Sequence, residues 1–143
     1  MKELMKELEN VLTEQLSDMN INDFTVCEID KHPIYLEGTE EDYLRWKELL
    51  GRVITSTKIF EIHCWNEEQD WIAFALKYGT LKESDWKYGK IITGEVTTEF
   101  IQMLLEMPKA QNDNAFQKIT PFFNVFLDDV FQSSHYGLEV YMR

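Results

Sequence analysis

The chain has 143 residues and a formal net charge of −12 at pH 7, from 26 acidic and 14 basic side chains. This charge argues against direct binding to nucleic acid, because such binding needs clustered Lys and Arg to displace condensed counterions. A hydrophobic content of 44% and an aromatic content of 13% are incompatible with an intrinsically disordered chain. The sequence therefore predicts one folded, acidic domain over residues 1–143.

The first predicted element is an amphipathic helix over residues 4–19, where apolar side chains recur at helical spacing. Two short strands are predicted next, over residues 23–29 and 33–36, from alternating apolar and polar side chains. Thr39 then precedes three acidic residues, a pattern typical of a helix N-terminus. The apolar stripe that follows predicts a second helix ending near Gly51.

Residues 58–65 are rich in β-forming side chains and predict a central strand. Asn66 and Gln69 match the spacing of a capping box, and the acids between them and at Asp70 are typical of a first helical turn. The next helix is expected to bury Trp71 among its apolar residues.

Residues 89–96 predict a further strand, followed by a helix that begins at Thr97 or Thr98 and ends at Met107. Thr120 and the proline after it predict another helix start, with Phe-rich apolar residues on one face as far as Val130. Residues 137–142 alternate and predict a last strand at a sheet edge. Together these elements predict an α+β domain with a mixed or mostly antiparallel sheet of four to five strands and four to five helices.

Residues with catalytic or metal-binding chemistry are few. The three histidines are His32, His63 and His135, and none has a second ligand at metal-binding spacing. His63 and Cys64 are adjacent on a predicted strand, so they are expected to point to opposite faces. A nucleophilic pair of a histidine with Cys27 or Cys64 stays open as an alternative. The six glycines form no phosphate-binding motif, so no catalytic residue, metal or cofactor is predicted.

Acidic residues are concentrated in the first part of the chain, where residues 1–50 hold 13 acidic and 5 basic side chains. A basic partner is expected to bind such a surface. Trp86 and Tyr88 lie in a predicted polar loop, where large amphipathic rings are typical of interface anchors. The predicted partner-binding residues are Glu37, Glu40, Glu41, Asp42, Glu67, Glu68, Asp70, Trp86 and Tyr88.

The N-terminus lacks the apolar region of a signal peptide, and no apolar run approaches the roughly 20 residues needed to span a bilayer. With only two cysteines, the chain is expected to be cytoplasmic and not to bind membranes.

In length, charge and lack of active-site motifs, the chain looks like bacterial immunity proteins that neutralise secreted toxins. This likeness implies an antitoxin-type inhibitor, without enzymatic activity, that blocks a basic toxin domain such as a nuclease sterically and electrostatically. Two alternatives stay open: a small-ligand or regulatory domain with a pocket that uses Trp71, Trp86 and Tyr88, and a hydrolase that uses carboxylates or the Cys/His pair.

Overall fold

A computed structural model describes residues 32–113 and 117–143 of the chain. The predicted helix over residues 4–19 and the predicted strand over residues 23–29 lie outside this part. The described α-helices, α1 to α3, are Glu40–Gly51, Gln69–Ala75 and Thr98–Glu106. The described strands, β1 to β7, are Ile34–Tyr35, Ile59–Trp65, Thr80–Lys82, Gly89–Glu95, Asn124–Leu127, Phe131–Ser134 and Glu139–Met142.

All seven described strands form one antiparallel sheet, in the order β1-β7-β6-β5-β2-β4-β3. β2 lies inside this sheet, because Ile62 pairs with Ile92 of β4 on one side and with Val125 of β5 on the other. The prediction of an interior strand over this region is therefore confirmed. β7 also has a neighbour on each side, β6 and β1, so the last strand does not form an edge.

The three described helices pack against one face of the sheet. Phe60 of β2 stacks on Phe100 of α3 with ring centroids 4.0 Å apart. Trp46 of α1 donates a hydrogen bond from Nε1 to Oγ of Ser133 in β6, at 3.0 Å. Strand register places Phe60 and Ser133 on the same face, where Ile72 of α2 joins the same core. The odd-numbered residues of β2 therefore belong to the opposite face.

The fold class is α+β, but the predicted proportions of strand and helix are wrong. The described residues form seven strands and three α-helices, instead of four to five of each. The helix predicted after Thr120 is absent, and Asn124–Leu127 and Phe131–Ser134 form β5 and β6 in its place. Every residue from Ile119 to Leu127 is buried, so the apolar run supplies both faces of β5 and the segment that precedes it. A short run of this kind cannot be separated from a buried helix by periodicity.

Two helix starts have the predicted capping chemistry. Thr39 Oγ1 accepts a hydrogen bond from the N–H of Asp42 at 3.2 Å, and Thr97 Oγ1 accepts one from the N–H of Phe100 at 3.1 Å. Each bond satisfies a backbone donor that has no partner within its own helix. The predicted starts of α1 and α3 are therefore confirmed.

Candidate functional site

One end of the sheet gathers most of the residues predicted to bind a partner. β2 ends here and β4 begins here, since Trp65 pairs with Gly89. The N–H of Asn66 donates to the carbonyl of Tyr88 at 2.8 Å, which joins the start of α2 to the loop before β4. We call this surface the acidic end and define it by the five exposed acids of the two helix starts, which are Glu37, Glu40, Glu41, Glu67 and Asp70. The adjoining loop before β4 carries exposed acids and the exposed basic side chain of Lys87.

The start of α1 supplies the first group of acids. Glu40 and Glu41 are exposed in the first helical turn, where they interact favourably with the helix dipole. Asp42 differs, because its Oδ2 accepts a hydrogen bond from the N–H of Glu37 at 2.7 Å, and its own N–H donates to Thr39. The Asp42 carboxylate therefore fixes the chain as it enters α1, while the other acids face solvent.

The start of α2 differs from the predicted capping box. The helix begins at Gln69, whose side-chain amide donates to the backbone carbonyl of Asn66. The Asn66 side chain does not cap the helix and instead donates from Nδ2 to the carbonyl of Lys87 at 2.8 Å. Asn66 is thus used to hold the loop that precedes β4. The residue directly before the helix is Glu68, and it makes no side-chain capping bond.

Glu68 is turned inward and does not belong to the exposed acidic surface. Its Oε1 accepts a hydrogen bond from the N–H of Trp65 at 2.8 Å, and its Oε2 accepts one from the hydroxyl of Tyr136 at 3.0 Å. Burial raises the pKa of Glu68 and outweighs the lowering by these hydrogen bonds and by Lys118. Lys118 also places its Nζ 4.4 Å from the centroid of the Tyr136 ring. Glu68 therefore ties the start of α2 to the β6–β7 turn.

The side chains of Asn112 and Gln117 link the entry to α1 with the residues around Glu68. The N–H of Gly38 donates to Oε1 of Gln117 at 3.0 Å, and the carbonyl of Gly38 accepts a bond from Nδ2 of Asn112 at 3.1 Å. The backbone N–H of Lys118 donates to Oδ1 of the same Asn112 at 2.9 Å. The entry to α1 is thereby joined to the cluster around the inward-facing glutamate of α2.

The two aromatic residues predicted as partner anchors have different environments. Tyr88 is 48% exposed, whereas Trp86 is only 5% exposed. Trp86 packs against Trp65 with ring centroids 5.1 Å apart and covers Gly89, where an added Cβ would overlap the Trp86 ring. Among the residues that the structure describes, the buried ring N–H groups of both tryptophans have no hydrogen-bond partner. Of the two predicted anchors, only Tyr88 offers an exposed ring.

A buried polar network on β2 was not predicted from the sequence. His63 is fully buried, with its Nε2 2.9 Å from Oε2 of Glu61 and its Nδ1 3.2 Å from Nδ2 of Asn124. Glu61 also forms an ion pair with Lys82 at 3.0 Å. Burial raises the pKa of Glu61, but His63 and Lys82 outweigh it, so the pKa is lowered overall. Strand alternation puts Glu61 and His63 on one face, but their partners come from β3 and β5, which no local pattern reveals.

His63 and Cys64 do not form a Cys/His pair. The Cys64 side chain belongs to the core beside the helices, and His63 lies on the other face of the strand. Burial strongly raises the pKa of the Cys64 thiol, and the charge of Glu68 raises it further. A thiol with a raised pKa is a poor nucleophile at neutral pH. Cys27, the other candidate, lies outside the described residues.

Within residues 32–113 and 117–143, no group of three or more His, Cys, Asp and Glu side chains is placed to hold a metal ion. No helix in that same part of the chain has the length and apolar character to cross a membrane.

No protein-family model matches the chain, no curated protein matches its sequence, and no solved structure matches its fold.

Proposed function

We propose that the protein is an immunity-type inhibitor that binds a basic bacterial toxin domain and blocks it sterically and electrostatically. The supporting observation is that exposed acids lie at two separate helix starts, residues 37–41 and 67–70. These helix starts follow β1 and β2, which run in the same direction in the sheet, so the chain leaves both strands at the same end. Carboxylates in this position can face the Lys and Arg side chains with which a nuclease grips its substrate. A nuclease is therefore the specific candidate for the toxin.

The residues assigned to this interface are fewer than those predicted from sequence. Glu68 and Trp86 are left out because their side chains are turned into the protein. Asp42 is left out because its carboxylate is used by the backbone before α1. The proposed interface keeps the five exposed acids of the acidic end together with the exposed ring of Tyr88.

Charge and ring contacts have different parts in this mechanism. A net charge of −12 speeds the approach of a basic partner, and salt screens that effect. Each exposed ion pair adds only about 0–1 kcal/mol to affinity. The affinity therefore depends on contacts that lose water on binding, and aromatic rings such as that of Tyr88 are the usual anchors.

The test uses capture of partners from the source cell at low and high salt, with bound proteins identified by mass spectrometry. The reversal variant carries Glu40→Lys, Glu41→Lys and Glu67→Lys. The control variant makes the same charge change at exposed acids outside the acidic end, with Glu48→Lys, Glu95→Lys and Glu99→Lys.

We expect one basic protein to be retained by the parent and the control at low salt, released at high salt, and lost from the reversal variant. That protein is expected to be toxic when it is expressed alone and harmless when it is expressed with this chain. Equal retention by the reversal variant, or capture of no basic protein at either salt, would contradict the proposal.

A further inference from the structure

An apolar groove lies between α2, α3 and the segment that follows α3. Its volume is about 510 Å³, within the range of roughly 300–1,000 Å³ typical of small-molecule sites. Its apolar lining comes mainly from Trp71, Phe74, Tyr78, Met103, Met107 and Pro121. Trp86 and Tyr88, which the small-ligand alternative places in one pocket with Trp71, do not line it.

Aromatic rings give the groove a defined wall. Trp71 meets Phe74 edge to face with ring centroids 5.6 Å apart, and it meets Phe122 in the same way at 5.9 Å. Phe74 in turn lies 5.8 Å from Tyr78. Trp71 keeps 36% of its surface exposed. Further ring surface is therefore available for edge-to-face or stacked contact with an aromatic ligand.

The charged groups at the rim of the groove already have partners within the chain. Lys109 Nζ donates to the carbonyl of Ala110 at 2.8 Å, and Oε1 of Glu106 accepts a bond from Nε2 of Gln102 at 3.4 Å. Lys109 and Glu106 are the charged residues that line the groove, and their opposite charges cancel. Lys77 lies outside the lining, with its Nζ 5.2 Å from the centroid of the Phe74 ring. This electrostatic character matches an uncharged ligand, because a buried charge without a partner is costly.

The dimensions of the groove favour a small molecule over a helix or a second copy of the chain. α2 has 7 residues and α3 has 9. At about 1.5 Å per residue their walls are ~10 Å and ~14 Å long, while a helix with side chains is itself about 10–12 Å wide. A stable protein interface also needs about 800 Å² from each partner. Walls of this length can contact only about two turns of a helix, so the groove alone supplies much less surface than a stable protein interface needs.

We propose that this groove binds a neutral, aromatic small molecule. The ligand inserts its ring between Trp71 and the two methionine side chains, whose flexible thioethers adapt to its shape. This site is independent of the proposed toxin inhibition, because the groove shares no residue with the exposed acids of the acidic end.

The test uses N-phenyl-1-naphthylamine as a neutral fluorescent probe, and 8-anilino-1-naphthalenesulfonate as an anionic probe with the same rings. Ala110→Phe fills the groove, and Ala73→Phe makes the same change at an exposed position of α2 outside the lining. Met103→Gln is a second groove variant that keeps the side-chain length, for use if the Phe variant has a lowered melting temperature.

We expect saturable binding of the neutral probe with one site per chain. The anionic probe should bind at least about tenfold more weakly, because the negatively charged protein repels it. Each groove variant should weaken the neutral probe at least about tenfold, and Ala73→Phe should leave it unchanged. Non-saturable binding, unchanged binding to both groove variants, or tighter binding of the anionic probe would overturn the proposal. A dimer of the parent in sedimentation that Ala110→Phe converts to monomer would also overturn it, since a second copy would then occupy the groove.

Discussion

The Nε2 of His63 and the carboxylate Oε2 of Glu61 lie 2.9 Å apart, two residues apart on one strand. Oδ1 of Asn124 accepts a hydrogen bond from the N–H of His135 at 3.4 Å, which leaves the Asn124 amide N–H to donate to Nδ1 of His63. In its neutral form, the ring has its proton on Nε2 and donates it to Glu61. With Lys82 on the other carboxylate oxygen, this network joins β3, β2 and β5.

Glu61→Gln tests whether this network stabilises the fold. The pKa of Glu61 is lowered in the folded protein, so its contribution to stability is present above the unfolded pKa near 4.5 and is lost as pH falls through the folded pKa. We expect the variant to be about 1–2 kcal/mol less stable than the parent at pH 7, because charge-assisted hydrogen bonds are lost. Urea unfolding at neutral and acidic pH should show this difference closing in acid. A difference that stays constant with pH would argue against the ionised network.

Glu68→Gln is predicted to have the opposite pH dependence. The pKa of Glu68 is raised, so the parent loses stability as pH rises from the unfolded value near 4.5 through the folded pKa. The variant should match the parent in acid, where Glu68 is protonated, and should be at least as stable near neutral pH. The same urea unfolding series measures it. A variant that becomes less stable than the parent as pH rises would show that ionised Glu68 is favourable in the fold.

Trp86→Ala should destabilise the protein far more than Tyr88→Ala. Truncating a buried tryptophan costs about 3–5 kcal/mol, whereas truncating an exposed ring costs less than about 1 kcal/mol. Trp86 covers Gly89 and packs on Trp65, while Tyr88 is half exposed. Chemical denaturation of the two variants measures the difference. Similar small losses for both would place Trp86 outside the core.

Asp42→Ala should lower stability by about 1 kcal/mol, because the N–H of Glu37 loses its acceptor. Glu41→Ala, in the same helical turn, should change stability by less than about 0.5 kcal/mol, since its side chain is exposed. Thermal and urea unfolding of the two variants provide the comparison. Equal effects would mean that Asp42 is an ordinary surface acid.

Local patterns predicted the parts of the fold that depend on neighbouring residues. Thr39 and Thr97 could be predicted as helix caps because the hydrogen bonds that they accept come from residues only three positions away. The β5–β6 hairpin was missed because the Phe-rich run fits a buried strand or a helix face equally well, and because β5 also pairs with β2, which is distant in sequence. Pairing of β5 with β2 therefore determines that this segment is a strand and not a helix.

In the candidate site too, some features follow from the local sequence and others depend on tertiary structure. The acids at the two helix starts could be identified from sequence, but their meeting at one end of the sheet is a property of the topology. Glu68 could not be distinguished from Glu67, because the partner that turns Glu68 inward is Tyr136, 68 residues later. The groove beside Trp71 likewise could not be predicted from the sequence, because only the folded structure brings Pro121 and the segment after α3 next to Trp71.

The association rate of the captured partner, measured over a series of salt concentrations, shows whether the acidic end recruits a basic partner. For the parent and the control variant, we expect fast association that slows steeply as salt rises. For the reversal variant, we expect association at least about tenfold slower at low salt, with little salt dependence. If the reversal variant associates at the parent rate at every salt concentration, the acids are solvated helix starts and the proposed interface is wrong.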